Sequence, residues 1–285
     1  MSIKGDRYVG IELGGSRRTA VVALDYFAAE RKAFVSTLLS PPQAEESETP
    51  DDTLMRVVNE LEPLGIGVDA PLTLPPCVRC PLPCPTVALC EVPAVRWMRE
   101  EAKGVRFGKH KLPSPYTQRP VDYLLRGKWQ EDAFVSFPVD ESFGSSRAPL
   151  AARMQYLQRH LRPANGFLEV NPRLALGGIA SWYNLSAREV RRARDVEVGA
   201  EIRSEILDSI SRPPRHELVP HIFLYNSDIT ALAQDLSAFD ALLCALMVMG
   251  DALGILEEPD FDPDWGVVAK PRRFSSRVGP VSDSP

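Results

Sequence analysis

The stretch RYVGIEL (residues 7–13) alternates, and alternation predicts a strand with Val9, Ile11 and Leu13 on one face and Tyr8, Gly10 and Glu12 on the other. Two further apolar segments follow, Thr19 to Leu24 and Ala33 to Leu39, separated from one another and from the first by the turn-like GGSRR and the charged ERK. Three such runs in close succession predict a meander. Apolar residues at helical spacing then come at Leu54, Val57, Val58 and Leu61, behind a pair of aspartates and ahead of a stop at Pro63 to Gly65. GIGVDAPLTLPP returns to strand and ends in prolines. The first 72 residues therefore read β-β-β-α-β, a sheet begun by antiparallel strands and rejoined after a helical crossover.

Beyond that point the pattern weakens. Residues from about 73 to 150 are rich in Pro, Cys and Arg and read as an insertion over the sheet edge. Residues 148–161 predict a helix, 166–172 a strand and 186–210 one or two helices with polar faces. Residues 228–254 predict one long helix, apolar on most sides and so packed around most of its circumference. The expected organisation is a single α/β domain over 1–258, with a surface-lying or disordered tail over 259–285.

Composition adds limits. Of 285 residues, 44% are hydrophobic and 25% charged, which is ordinary for a soluble globular chain. No early basic segment leads into an apolar run, and no stretch of about 18 uncharged apolar residues occurs, so a cytoplasmic location without membrane contact is expected. A net charge of -5 argues against a basic coat on nucleic acid but leaves room for a local groove. The basic runs at 103–111, 188–194 and 270–277 read first as solvated surface and second as phosphate contacts.

The chemistry begins with acids in apolar company. Glu12 lies in the first strand, Asp69 follows Val68, Glu169 sits between Leu168 and Val170, and Asp240 interrupts the most apolar helix. An ionised carboxylate in such a place is costly unless it is paired or metal-bound. Pairing with arginine or backbone donors accounts for any one of them. Convergence of all four would raise their proton affinity unless cations intervened, and magnesium or manganese suits an all-oxygen site. Two such ions could clamp the attacking and leaving oxygens of a phosphodiester. The four histidines form no HExxH or zinc-deaminase pattern, and no GxS elbow is present. His110 reads as surface, while Tyr116 and Trp97 could stack on bases or simply pack.

In its ordered motifs the chain resembles the family known as domain of unknown function 429, predicted nucleases with a ribonuclease H-like fold. The motifs are VGIELGG, GIGVDAPLTLP, PYTQRPVD (115–122), APLAARMQYL (148–157), FLEVNP (167–172) and DALLCAL (240–246). The resemblance implies a ribonuclease H-like mixed sheet flanked by helices and a metal-dependent phosphodiesterase acting on DNA or RNA. It implies catalytic Glu12, Asp69, Glu169 and Asp240, with Arg119, Asp122 and Tyr116 on the substrate side. The family's first-strand acid is usually Asp, where this chain has Glu12. A rival resemblance is to the actin-like sugar kinases, whose first phosphate loop IELGGSRRTAVV (residues 11–22) matches; LGGIASW (176–182) is the one candidate for their second. A catalytically degenerate binding protein is the third alternative.

Cys77, Cys80, Cys84 and Cys90 make a C-x2-C-x3-C-x5-C run within 14 residues. Four soft ligands in a proline-stiffened loop suit zinc or an iron–sulfur cluster, although the x3 and x5 gaps depart from the usual spacing of either. Buried thiols are the alternative. Cys244 reads as a small core residue.

Overall fold

The computed structural model describes residues 5–14, 18–44, 47–102, 112–132, 137, 139–214, 216–259 and 262–274. Strands β1 (Asp6–Glu12), β2 (Ala20–Phe27) and β3 (Lys32–Leu39) form the antiparallel meander. Helix α1 (Pro50–Glu60) then carries the chain back to β4 (Gly65–Val68), parallel beside β1. Thr49 starts that helix as a capping box with Asp52, accepting from the Asp52 N–H while its own N–H donates to the Asp52 carboxylate. β5 (Phe167–Glu169) adds in parallel outside β4. The completed mixed sheet has six strands in the order β5-β4-β1-β2-β3-β6, with β6 (His221–Phe223) parallel to β3 at the far edge.

Helices cover both faces. The insertion supplies α2 (Pro76–Arg79), α3 (Pro93–Glu100), α4 (Pro120–Arg126) and α5 (Lys128–Asp132). After them come α6 (Arg147–Leu157), α7 (Pro172–Tyr183), α8 (Ala187–Arg192), α9 (Gly199–Ile210), α10 (Asn226–Gln234) and α11 (Leu236–Ala252). Val9, Ile11 and Leu13 point as the alternation predicts, into a core shared with Leu54 and Val58 of α1 and Met154 and Leu157 of α6. Tyr8 points the other way, into the larger core built on α7, α9 and α11.

Two glycines decide how closely α11 approaches. Gly10 of β1 and Gly67 of β4 are register partners across the parallel pair. A Cβ on Gly10 would stand 1.9 Å from Ala241 O and 2.3 Å from Ala245 N, and one on Gly67 would stand 2.2 Å from Cys244 O. Helix backbone therefore rests directly on strand backbone, and any side chain there would wedge the two apart. Glu12 lies two residues beyond Gly10 on the same face, and Asp240 immediately precedes Ala241.

Three expectations change. The predicted helix over 228–254 is two helices, α10 and α11, bent by 114° at Asp235. Asp235 takes an extended backbone (φ −107°, ψ 110°) and its side chain accepts from Ser237 N and Ala238 N, which starts a new helix instead of continuing the old one. Among the described residues no single helix is long and apolar enough to cross a membrane; the bent pair passes by length and composition, but residues 238–250 of α11 are buried in the core. Second, LGGIASW is not a loop. Its glycines lie inside α7, where Gly178 packs against Pro271 at a spacing that would leave an added Cβ only 2.5 Å from Pro271 Cγ. Third, part of the supposed tail is structural. Val268 and Ala269 are buried, Ala269 N donates to Glu169 O (2.8 Å), and Trp182 Nε1 donates to Arg272 O (2.7 Å).

Candidate functional site: carboxylates and arginines at the sheet edge

β1, β4 and β5 run parallel, and each ends at or just before an acid. Glu12 is the last residue of β1, Asp69 follows β4, and Glu169 closes β5. The β4 ladder runs on through Asp69 N to Ile11 O (3.1 Å), so backbone hydrogen bonding fixes Asp69 beside Glu12. α11 brings Asp240 across from the other layer. A pocket of about 270 Å³ opens at this end of the sheet, lined by all four acids and by Arg119, Arg147, Arg173 and Arg194. The acids singled out in the sequence thus share one pocket, at the carboxyl ends of parallel strands where open α/β sheets commonly bind ligands.

Their states differ. Glu12 Oε2 is buried and has no hydrogen-bond partner among the described residues. Burial pushes the Glu12 carboxyl well above its ordinary range; the negative charges of Asp69 and Asp240 and a side-chain hydrogen bond with Asp69 add to this, and Arg194 opposes it. Asp240 is only 5% exposed. Burial carries its carboxyl up to about 6 despite the opposing guanidinium of Arg194, whose Nη2 donates to Asp240 Oδ1. Asp69 Oδ1 accepts from Arg147 Nη2 at 3.3 Å.

Glu169 is committed elsewhere. Its Oε1 accepts from Arg119 Nη2 (2.6 Å), and its Oε2 accepts from Arg119 Nη1 (2.8 Å) and Leu72 N (2.9 Å). Arg119, expected on the substrate side, uses its remaining donors on Ser142 Oγ (2.7 Å), Thr73 Oγ1 (2.9 Å) and Asp122 Oδ1 (3.2 Å). All five guanidinium N–H groups are occupied, which leaves none for a phosphate. Burial works against its charge, but Glu169 and Asp122 more than compensate and raise its proton affinity. Asp122 is buried too, accepting from the backbone N–H groups of Arg119 (2.8 Å) and Ser142 (3.3 Å) at the start of α4. Tyr116 is 57% exposed and does not line the pocket. The basic run 103–111, with His110, lies outside the described residues.

Arg147, Arg173 and Arg194 were not singled out as site residues. Arg194 belongs to a basic run that reads as solvated surface, and Arg147 stands just ahead of the APLAARMQYL motif. Arg173 makes no ion pair with a described residue; its guanidinium carbon lies 5.8 Å from the Phe137 ring centre. Burial, then the neighbouring Arg194, lowers its proton affinity.

Among the described residues no group of three or more His, Cys, Asp or Glu is gathered to hold an ion. Arg147 and Arg194 hold Asp69 and Asp240 as they lie. The four clustered cysteines line a separate pocket, and Cys244 is a buried core thiol raised by its surroundings, burial above all. No family model, curated protein or solved structure matches the chain.

Proposed function

We propose that this chain is a metal-dependent nuclease, a hydrolase of phosphodiester bonds, built on a ribonuclease H-like sheet. The observation that carries the proposal is Glu12: a buried carboxylate with one oxygen unsatisfied among the described residues, set against Asp69 and Asp240 at the ends of rigid elements. A buried carboxylate oxygen left without a partner is costly, and a cation bound there would offset that cost more fully than the proton its raised affinity otherwise retains. The antiparallel meander, the helical crossover and the parallel β1–β4–β5 edge support this reading, although the meander and crossover suit the kinase alternative equally.

Glu12, Asp69 and Asp240 are not gathered around an ion as they lie, and would hold magnesium or manganese, for which an all-oxygen set is suited, once Arg147 and Arg194 released the two aspartates. Such an ion supplies Lewis-acid activation of water and of the phosphoryl group, so no histidine base is needed. Arg173, without a carboxylate partner among the described residues, is the guanidinium best placed to meet a phosphate. Arg147 and Arg194 neutralise Asp69 and Asp240 in the absence of a cation and stand ready for phosphate oxygens in its presence. The Glu169–Arg119–Asp122 network fixes the pocket wall instead of touching substrate.

A second reading is that of a degenerate binding protein, and the arginine pairing of Asp69, Asp240 and Glu169 favours it. A cleavage screen on single-stranded, duplex and branched DNA and on RNA, first with magnesium and then with manganese, separates the two. Asp69→Ala and Asp240→Ala must both abolish cleavage that the unaltered chain shows. If the unaltered chain cuts nothing beyond those controls and binds no divalent ion by calorimetry, the nuclease proposal falls. ATP-dependent turnover of a sugar would promote the kinase alternative.

A further inference from the structure

We propose that the carboxylate pocket takes the terminal nucleotide of a single strand, so that this chain shortens strands from an end and leaves internal bonds and closed circles uncut. This deepens the nuclease reading and rests on it. At about 270 Å³ the pocket lies at the small end of the range that encloses a drug-sized ligand, which leaves room for one nucleotide unit and not for the two that flank an internal phosphodiester. The acids lie at its floor: Asp240 is 5% exposed and Glu169 3%, and Glu12 Oε2 is buried. Arg173, which also lines the pocket, is exposed, so the lining runs from an open cation down to covered carboxylates. In a duplex the phosphates of each strand follow one another about every 3.4 Å along the helix axis, backed by paired bases. A rod of that kind lies across the mouth of such a pocket and carries no phosphate to its floor. The free end of a single strand can.

The insertion roofs the pocket and is fastened to the strand ends. Arg119, at the start of α4, donates to Glu169 at the end of β5, to Thr73 beyond β4 and to Ser142. Asp122 and Leu125 of the same helix line the pocket. The acids are therefore held under a fixed cover and not along an open groove, which is what an internal bond of a continuous strand would need.

The lining also divides as a nucleotide does. Carboxylates and guanidiniums make up one part, and Leu125, Phe137 and Val139 supply an apolar wall. Arg173 joins the two, with its guanidinium carbon 5.8 Å from the Phe137 ring centre and no ion pair to a described residue. A nucleotide carries an anionic phosphate and a flat base, and the base has to be unpaired to reach such a wall. Arg173 takes the phosphate as a charge-assisted donor. In the reaction, water supplies a hydroxyl to the phosphorus of the terminal linkage, the bond from phosphorus to the strand oxygen breaks, and that oxygen leaves with the other proton of the water. Each water consumed releases one nucleoside monophosphate and changes no oxidation state.

The test uses the full chain with manganese, beside an Asp69→Ala control. One sequence is supplied as single-stranded DNA and as RNA, each both linear and as a closed circle, and as a flush-ended DNA duplex. The linear single strand should shorten stepwise with monophosphates as the first product, and the circle should stay intact. The duplex should shorten at least about tenfold more slowly, the cost of unpairing a terminal base pair. Cutting of the circle, internal fragments as first products, or equal rates on duplex and single strand would overturn the inference and leave the nuclease reading standing. No cleavage of any substrate would remove that reading instead, and calorimetry with nucleoside 5′- and 3′-monophosphates then decides what the pocket holds. Arg173→Ala retains the backbone N–H that Asn171 accepts, so the start of α7 is kept. Monophosphate binding weakened about tenfold or more by Arg173→Ala would uphold a nucleotide pocket. Binding that is absent, or unchanged in that variant, would overturn it.

Discussion

Glu169 and Arg119 meet in a two-pronged pair, Oε1 to Nη2 at 2.6 Å and Oε2 to Nη1 at 2.8 Å, with 3% and 2% of each residue exposed. The pair joins the end of β5 to the start of α4, and through Ser142 and Thr73 it draws in two further loop segments. Removing one partner of a buried pair leaves the other charge uncompensated, at a cost of about 3–5 kcal/mol. Arg119→Ala should therefore lower the urea midpoint sharply, and a double change to leucines at both positions should cost less than the two single changes summed. An unchanged midpoint with weakened nucleic-acid binding would return Arg119 to the substrate side.

Gly10 and Gly67 set the distance between α11 and the sheet, and with it the distance between Asp240 and Glu12. Alanine at either position would overlap helix backbone, which cannot rotate away as a side chain can. Overpacking costs about 1–3 kcal/mol, more where backbone must shift. Gly10→Ala should reduce stability by at least that amount and should also weaken divalent-ion binding, because the helix that carries Asp240 moves. Calorimetry on folded protein reads the second effect apart from the first. Full ion affinity in a destabilised variant would separate the packing from the site.

These two relationships show where the sequence was legible. Alternation around Val9 and Ile11 exposes the first strand, and an acid in such a strand attracts attention because burial there is costly. Glu12, Asp69 and Asp240 could be found in this way. The arginines could not: a guanidinium on a long stem reads the same in REVRRAR whether it meets water or reaches back to Asp240. β6 escaped for a different reason, since three residues following Pro220 carry no usable period. The break at Asp235 was also hidden, because the apolar pattern continues on both sides and only the cap geometry interrupts it. Arg119 and Asp122 came from the resemblance, which identifies a motif without saying which groups its side chains satisfy.

Stability should depend on pH through Asp240 in protein kept free of divalent ions. Its carboxyl is moved from 3.8 up to about 6, chiefly by burial. Below about pH 4 both folded and unfolded chains carry the proton, and the stability linked to this group is fully present. As pH rises, the unfolded chain loses the proton first, so that stability falls through pH 6 and then levels off. The loss is of the order of 1–3 kcal/mol, with Glu12 acting in the same direction. Thermal melts in chelator between pH 4 and pH 8 should show it. Manganese should restore stability at pH 8 and have little effect near pH 4, where protons already occupy the carboxylates. Equal stabilisation at both ends would detach the ion from this site.

Glu12 gives the sharpest test, because its two roles predict opposite signs. If the carboxylate closes a hydrogen-bonding gap in the core, Glu12→Gln should destabilise the protein by about 1–3 kcal/mol, the usual cost of a lost buried partner. If it is held there for a cation, the cation-free protein is strained by its charge and gains by losing it. Oε2, unsatisfied among the described residues, and the raised proton affinity beside Asp69 and Asp240 favour the second role. In chelator at pH 8, Glu12→Gln should be at least as stable as the unaltered chain, by up to about 1–2 kcal/mol. With manganese the order should reverse, because the ion stabilises the unaltered chain and the variant binds it poorly. Stabilising a functional site by removing its charge at the expense of its ligand is a known trade. Melting curves of both proteins, with chelator and with manganese, give all four values. A variant less stable in chelator would make Glu12 a structural residue and leave the nuclease proposal without its central support.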